Sequence, residues 1–469
     1  MTLYVGQGLE ESKIAEFKTT LRGKLLREAD NGYDEARTVW NAMIDRKPDL
    51  IVRCQGVADV IKAVNFAREN RLLVAVRGGG HSITGASVCD GGMMIDLSLM
   101  KGIRVNPVER TARAEAGVVW GELDRETQIF GLATPGGQIS HTGIAGLTLG
   151  GGIGNLMRNH GLTIDNLISV DVVTASGEYL TASASQNQDL FWAIRGGGGN
   201  FGIVTSFEYK LHPVGPIIAG GIAFYPFAYA RPLLTFFRDY MTGARDELTC
   251  TALMVTMPPA PFVPVEFHNQ KMVALQVCYC GNLAEGMDEI SKIRSYTRPA
   301  IDLLGAVPYT MVQSLSDEAT RFGLQNYAKT HLFTSMSDEA IGLLVKHFSE
   351  VTSPMTGVTI MALGGAMSRI AGEDTAFAHR VNGFECMINA AWTDRYDAEQ
   401  HIEWTRNLYS ALKPYASGRV YVNHLNADEG GDTVDNAYPK ATYQRLAALK
   451  AMYDPGNLFR LNHNIKPAQ

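Results

Sequence analysis

The sequence predicts an α+β protein with more than one domain, and three observations carry that reading. Up to Pro213 the chain alternates short apolar strands with amphipathic helical stretches, starting with an early β-α-β unit. Three dense glycine blocks fall in the same part, each beside an apolar run. After His212-Pro213-Val214-Gly215-Pro216 the glycine clusters largely stop, and alternating strands such as 272–277 mix with helical stretches such as 338–352. The change places a domain boundary near Pro213, and 469 residues can build several domains' worth of core.

In order, residues 10–28 read as a polar amphipathic helix and 49–54 as a strand. Residues 56–70 read as a helix, because Val57, Val60, Ile61, Val64 and Phe66 fall near helical spacing. Residues 72–76 form a buried strand, and 93–97, 111–118 and 203–211 read as further strands. A late helix over 437–452 ends at Asp454-Pro455-Gly456. There is no internal repeat.

Composition excludes several classes of function. A formal net charge of -6 argues against nucleic acid or an anionic membrane as the main partner. No segment is apolar for long enough to span a bilayer. The N-terminus lacks a basic run followed by an apolar one, which predicts a cytoplasmic protein without a signal peptide. Of the six cysteines only Cys278 and Cys280 lie close together, at a spacing wrong for a zinc knuckle, so buried thiols and no metal site are expected.

The chain is organised around Arg77-Gly78-Gly79-Gly80-His81-Ser82, directly after the strand 72–76. Consecutive glycines remove every Cβ from a tight turn and let backbone N–H groups converge on something electron-rich, usually a phosphate; packing does not call for them. The turn reads as a cradle for the pyrophosphate of a flavin dinucleotide, with His81 at the rim meeting its ring. A second block runs from Gly136 to Gly154; its alternation of glycine with small and branched residues suits backbone lying flat on a planar ligand rather than an ordinary helix. A third, Arg195 to Val204, leads into a strand. None is a Gly-x-Gly-x-x-Gly fingerprint opening a helix, and there is no P-loop, so a nicotinamide Rossmann enzyme or a nucleotide triphosphatase is not expected. The alternative is a set of structural glycine loops, or a binding protein without chemistry.

These motifs resemble a known family. Arg-Gly-Gly-Gly-His-Ser at 77–82, the run from Gly143 to Gly154, Gly161-Leu162-Thr163-Ile164-Asp165-Asn166 and Phe191-Trp192-Ala193-Ile194-Arg195-Gly196-Gly197-Gly198-Gly199-Asn200-Phe201-Gly202 look like the PCMH-type FAD domain of the vanillyl-alcohol-oxidase superfamily. Tyr453-Asp454-Pro455-Gly456-Asn457-Leu458-Phe459-Arg460 is similar to the berberine-bridge-enzyme-like branch. The resemblance implies a two-part FAD-binding domain, 1–213 and 413–469, around an inserted substrate domain, 214–412, with an antiparallel sheet backed by helices. It implies FAD bound covalently through His81. Contacts are implied for Arg77, Gly78, Gly79, Gly80, Ser82, Gly137, Thr142, Gly143, Gly146, Gly150, Gly152, His160, Ile203, Val204, Tyr421, Asn423 and Asn462.

The sequence departs from the family in three places. Many members attach FAD a second time through a cysteine aligned with Ile139, which cannot form that bond, so a single link is expected. Leu147 stands where some members carry a histidine near the flavin's pyrimidine end, removing one stabiliser of the reduced ring. Thr142 replaces a commonly apolar residue; its hydroxyl can orient dioxygen or simply bond backbone.

Flavin oxidation needs a base beside the carbon that gives up hydride. Over 384–392, strand alternation puts Phe384, Cys386 and Ile388 on one face and Glu385, Met387 and Asn389 on the other. A carboxylate on a mostly apolar strand is either desolvated, as suits a general base, or a solvated edge residue. The family resemblance assigns Glu385 as catalytic. In Arg419-Val420-Tyr421-Val422-Asn423-His424, read as a strand under the flavin, His424 replaces a frequent tyrosine and is a base, a hydrogen-bond donor or a structural histidine. Alternation turns Tyr421 and Asn423 away from it. His379-Arg380 matches a pair expected to tie the two domains together, and His141 either lines the pocket or sits in an exposed loop. The expected function is an FAD-dependent oxidase of a small organic substrate, with dioxygen regenerating the flavin. The alternatives are an oxygenating tailoring enzyme and a catalytically degenerate flavin-binding protein.

Overall fold

The computed structural model describes residues 9–261, 263–426, 428, 434 and 437–468. The first eight residues of the N-terminus, and part of the 413–469 segment, lie outside them.

The N-terminal β-α-β unit forms as read. Leu50–Arg53, the helix Val57–Glu69 and Val74–Arg77 lead to Met93–Asp96, and the three strands pair in parallel with Met93–Asp96 in the middle. The expected long first helix does not form: it covers only Glu11–Thr20, and Lys24–Leu26 joins the sheet antiparallel to Leu50–Arg53. Leu25 and Leu26 are buried there, so sheet pairing takes the apolar residues that continued the helical pattern. A five-stranded antiparallel sheet follows, in the order Ile103–Asn106, Thr111–Glu115, Ile203–Lys210, Leu167–Val173 and Tyr179–Ser183.

Beyond Pro213 an eight-stranded antiparallel sheet dominates. Its path runs Ile301–Asp302, Ile217–Pro226, Lys271–Tyr279, Leu248–Thr256, Gly357–Ala362, Phe384–Trp392, Gln325–Phe333, with Gly305–Pro308 also paired to Ile217–Pro226. The helices Ala230–Thr242, Leu283–Tyr296, Asp338–Ser349 and Ala398–Leu412 cover one face, burying Phe237, Ile293, Leu344 and Leu408 against Phe384, Cys386 and Ile388. That face is one apolar core. A second core gathers residues between Ile14 and Leu211 with C-terminal residues between Val420 and Ile465. The opposite sheet face touches this second core through Leu332 and Met361.

The C-terminal helix spans Lys440–Tyr453. Its end explains the Asp-Pro-Gly motif: fully buried Asp454 accepts hydrogen bonds from Leu458 N at 2.8 Å and Phe459 N at 2.9 Å, and pairs with fully buried Lys450 at 2.6 Å. Lys450 Nζ also donates to Asn200 O at 2.7 Å, tying the tail to the third glycine block. All six cysteines are free and buried. Among the described residues no helix is long and apolar enough to cross a membrane, and no cluster of His, Cys, Asp or Glu is arranged for a metal ion.

Candidate functional site

The three glycine blocks meet. A Cβ added at Gly79 would lie 2.4 Å from Gly143 N and 2.5 Å from its Cα, so the first and second blocks cross backbone on backbone. Leu149 O of the second block accepts from Gly196 N and Gly198 N of the third, both at 3.0 Å. Glycine here serves packing as well as a ligand, which corrects the purely ligand-directed reading. The second block also contains a helix, Ile144–Gly150, where none was expected. Ile144, Thr148 and Leu149 bury one side of it, and a Cβ at Gly146 would meet nothing within 4 Å, so that glycine leaves a free surface.

Beside this crossing, His81 Nε2 lies 2.7 Å from His141 Nδ1, and His81 Nδ1 lies 3.4 Å from Thr142 Oγ1. The Trp40 ring stacks on His81 at 5.1 Å, and Phe322 meets its edge at 5.6 Å. Burial, with His141 alongside, pushes the His81 imidazole down to about 3, so it is neutral near neutral pH. His141 is therefore in the site, not in an exposed loop, and the Thr142 hydroxyl faces His81 rather than backbone. Ser82 Oγ is taken up by its own turn, accepting from Ala86 N at 3.2 Å.

Glu385 and His424 come together from different elements. His424 Nδ1 lies 2.8 Å from Glu385 Oε1, and the Glu385 side chain is only 6% exposed. The expected strand over 419–424 is instead a 3-10 turn, Val422–His424, closed by His424 N donating to Tyr421 O at 2.9 Å. Its cause is local. Asn423 Nδ2 donates to Leu147 O at 3.1 Å and to Tyr421 OH at 2.7 Å, and Gly152 N donates to that hydroxyl at 2.9 Å. These bonds clamp the segment onto the second glycine block, and the turn brings the Tyr421 and His424 rings to 4.8 Å instead of turning them apart.

Other expected contacts divide. Ile203 and Val204 are buried at the start of their strand, paired with Val173 and Val172. Asn462 Nδ2 donates to Gly199 O at 3.1 Å in the third block. His160 joins neither cluster: its ring stacks on His212 at 3.9 Å, and burial holds it down to about 4. Arg380 makes a two-bond ion pair with Asp165, at 2.7 and 2.9 Å with both side chains buried, which fastens the segment before Phe384 to the loop after the second glycine block.

Alternation on one strand reveals the face of Glu385 but not its neighbours. The register sets Glu385 beside Leu332 and Met361, Met361 beside Thr251, and Thr251 beside Gln276. Thr330 sits beside Met387 on the same face. Thr330 Oγ1, Asn389 Oδ1 and Gln276 Nε2 are buried there with no hydrogen-bond partner. No Lys or Arg of these strands shares that face: Lys271 and Lys329 pair with Thr256 and Ile388, on the other side. Gln138 reaches across from the second glycine block, donating to Thr251 Oγ1 at 3.3 Å. None of Trp40, Phe322, Thr330 and Gln276 was marked by a sequence motif; each takes its place from pairings far apart in the chain.

The residues fit a flavin dinucleotide. The Arg77 Nε donor and the Asn462 Oδ1 acceptor are buried without a protein partner at the first and third glycine blocks, and Gly146 of the second block leaves open surface. A glycine-lined cradle for an electron-rich group, with a buried carboxylate of an antiparallel sheet bonded to an imidazole beside it, defines an FAD-dependent oxidoreductase. A model described as "FAD binding domain" matches residues 48–183, and one described as "Berberine and berberine like" matches 420–466. An FAD-linked oxidoreductase of Dictyostelium discoideum is 33% identical over 461 residues, covering 97% of both chains. The (R)-6-hydroxynicotine oxidase of Paenarthrobacter nicotinovorans is 32% identical over 97% of this chain and 99% of its own. The crystal structure of 6-hydroxy-D-nicotine oxidase from Arthrobacter nicotinovorans superposes with a TM-score of 0.86 at 28% identity, covering 96% of this chain and 98% of that one. Berberine bridge enzyme from Eschscholzia californica shares the fold at 21% identity and a TM-score of 0.85, over 97% and 99%. The chain belongs to the FAD-linked oxidoreductases of the vanillyl-alcohol-oxidase superfamily, in the berberine-bridge-enzyme-like branch.

Proposed function

We propose that the protein is an oxidase of a small, uncharged or cationic organic molecule, removing hydride from a C–H next to a hydroxyl, amine or phenol, with dioxygen as final acceptor and hydrogen peroxide as product. The observation that carries this is the Glu385–His424 pair, in which buried Glu385 on the sheet meets half-buried His424 from the turn clamped onto the second glycine block. FAD held between the two surfaces supplies the two-electron acceptor. Glu385 takes the proton from the substrate's hydroxyl or amine, and His424 Nδ1–H holds the carboxylate in orientation by its 2.8 Å hydrogen bond. Leu332, Met361 and Met387 give the face an apolar surface, and Thr330, Asn389 and Gln276 offer it hydrogen bonds. An anion would lie there without a counter-charge, which disfavours carboxylate and phosphate substrates.

In this reading residues 1–213 and 413–469 hold FAD, and 214–412 cover the substrate. His81 carries the flavin as the single covalent link, since Ile139 stands where the second attachment residue would be. Supporting this, the two largest apolar cores divide close to those boundaries.

The test is anaerobic bleaching of the purified yellow protein by neutral and cationic alcohols, amines and phenols, (R)-6-hydroxynicotine and 4-hydroxybenzyl alcohol included. At least one should bleach it, and Glu385→Gln should slow that bleaching by about 100-fold or more. Bleaching of E385Q at the native rate would remove Glu385 from the reaction. If no donor bleaches native protein, the degenerate flavin-binding alternative takes over. Acid precipitation should leave flavin in the native pellet and release it from His81→Ala.

A further inference from the structure

We propose that Gln138 sets a second point of recognition for the substrate: its side-chain oxygen accepts a hydrogen bond from a hydroxyl that lies about 10 Å from the carbon being oxidised. This rests on the oxidase reading above and narrows its substrate to an extended molecule with a polar group at each end.

A chain of amides fixes which way Gln138 points. An amide side chain can turn either its oxygen or its nitrogen to a neighbour, and its hydrogen-bond partners decide which. The first partner here is a backbone carbonyl. Gln313, at the end of the short helix Tyr309–Gln313, directs Nε2 to Gly137 O at 3.1 Å, and a carbonyl only accepts. The same nitrogen donates to Asp124 Oδ2 at 3.2 Å. Gln313 Oε1 is thereby turned to Asn155, which donates with Nδ2 at 2.6 Å. Asn155 Oδ1 is left to accept, and Gln138 Nε2 donates to it at 3.5 Å and to Thr251 Oγ1 at 3.3 Å. Gln313 and Asn155 are both buried, which shields this order from bulk water. Gln138, at the open end, is half-buried. Turning its amide over would set oxygen against Asn155 Oδ1, so Oε1 stays on the other side, where it accepts from no described residue.

Register sets how far that oxygen is from the chemistry. Thr251, Met361 and Glu385 stand side by side on three adjacent strands, on one face of the sheet. Two strand spacings, about 10 Å, separate Thr251 from Glu385, and the side chain between them is the apolar Met361. Gln276 flanks Thr251 on the next strand; it is buried, and its Nε2 donor has no partner. The far group of the substrate must therefore donate to Gln138 Oε1 and can accept from Gln276 Nε2. A hydroxyl does both, whereas an ammonium only donates and an ether only accepts.

The probes are 4′-hydroxybiphenyl-4-methanol, its 4′-methyl ether and biphenyl-4-methanol, whose two para-linked rings hold the oxidisable carbon and the far position at about the required separation. Each is titrated anaerobically into flavin-loaded native protein and Gln138→Leu. Half-saturation is read from the change in flavin absorbance, whether bleaching or a shift of the bound chromophore. In native protein the phenol should half-saturate at a concentration about three- to tenfold below the other two. In Q138L the three should fall within about twofold of one another, with flavin content and thermal midpoint near native. Equal half-saturation by the phenol and its ether in native protein overturns the proposal, whatever the variant does. A preference for the phenol that survives in Q138L overturns it too, because another group then receives the hydroxyl. A response to 4-hydroxybenzyl alcohol with none to the three biphenyls refutes the spacing. If no compound of any kind changes the flavin, the oxidase reading itself fails and this inference falls with it.

Discussion

Thr330→Val separates a hydroxyl kept for a ligand from one kept for the fold. Thr330 is 5% exposed in the strand Gln325–Phe333, and its Oγ1 has no partner. An unpaired buried hydroxyl costs about 1–3 kcal/mol. Valine keeps the β-branched shape that suits a strand, so rotamer strain and strand preference hardly change. The methyl that replaces the hydroxyl adds burial worth up to ~0.8 kcal/mol. The variant should therefore be more stable by about 1–3 kcal/mol, where most buried substitutions destabilise. At about 2–4 °C per kcal/mol for a core of this size, the midpoint of the flavin-loaded protein rises by roughly 2–12 °C. Thr330 lies on the face of Glu385, beside Met387, so losing its hydrogen bond to substrate should raise KM by about 2- to 10-fold for whichever donor bleaches the flavin fastest. The assays are a thermal unfolding scan and steady-state oxidation on one preparation. A lowered midpoint would show that Thr330 Oγ1 is bonded within the protein, and an unchanged KM would remove it from the substrate surface; either result refutes the reasoning.

Asp454→Asn should destabilise the protein by about 3–5 kcal/mol, because it leaves the buried Lys450 ammonium without a counter-charge; an unfolding free energy from urea titration within ~1 kcal/mol of native would contradict this. Asp124 is fully buried, and burial pushes its carboxyl up to about 7 against an accepted hydrogen bond from Gln313. Because the folded protein holds this proton more tightly than the unfolded chain, the stability it contributes is fully present below the ordinary carboxylate range and is lost as pH rises through about 7. Native protein should lose thermal midpoint between about pH 5 and about pH 8 more steeply than Asp124→Asn does, and parallel profiles for the two would rule the linkage out.

What the sequence makes legible is chemistry that one stretch of chain must satisfy by itself. The crossing of Gly79 and Gly143 admits no Cβ, so glycine is written at both positions and the cradle can be read. Alternation along 384–392 is a property of that strand alone, and it set Glu385 apart from Phe384, Cys386 and Ile388 before any partner was known. The failures share the opposite cause. Val420-Tyr421-Val422 carries a strand's pattern, but its conformation is decided by Leu147 and Gly152, more than 250 residues away, and it folds as a 3-10 turn. The His81–His141 contact joins residues 60 apart, and nothing in either local motif names the other. Thr330, Asn389 and Gln276 share a face only through strand pairings, and those pairings set which of their polar atoms find protein partners. Cofactor chemistry is therefore written in contiguous motifs, because backbone geometry around a phosphate or a ring is a local demand. Substrate selection belongs to register across strands distant in sequence, which is why the chain declares a flavin before it declares what the flavin oxidises.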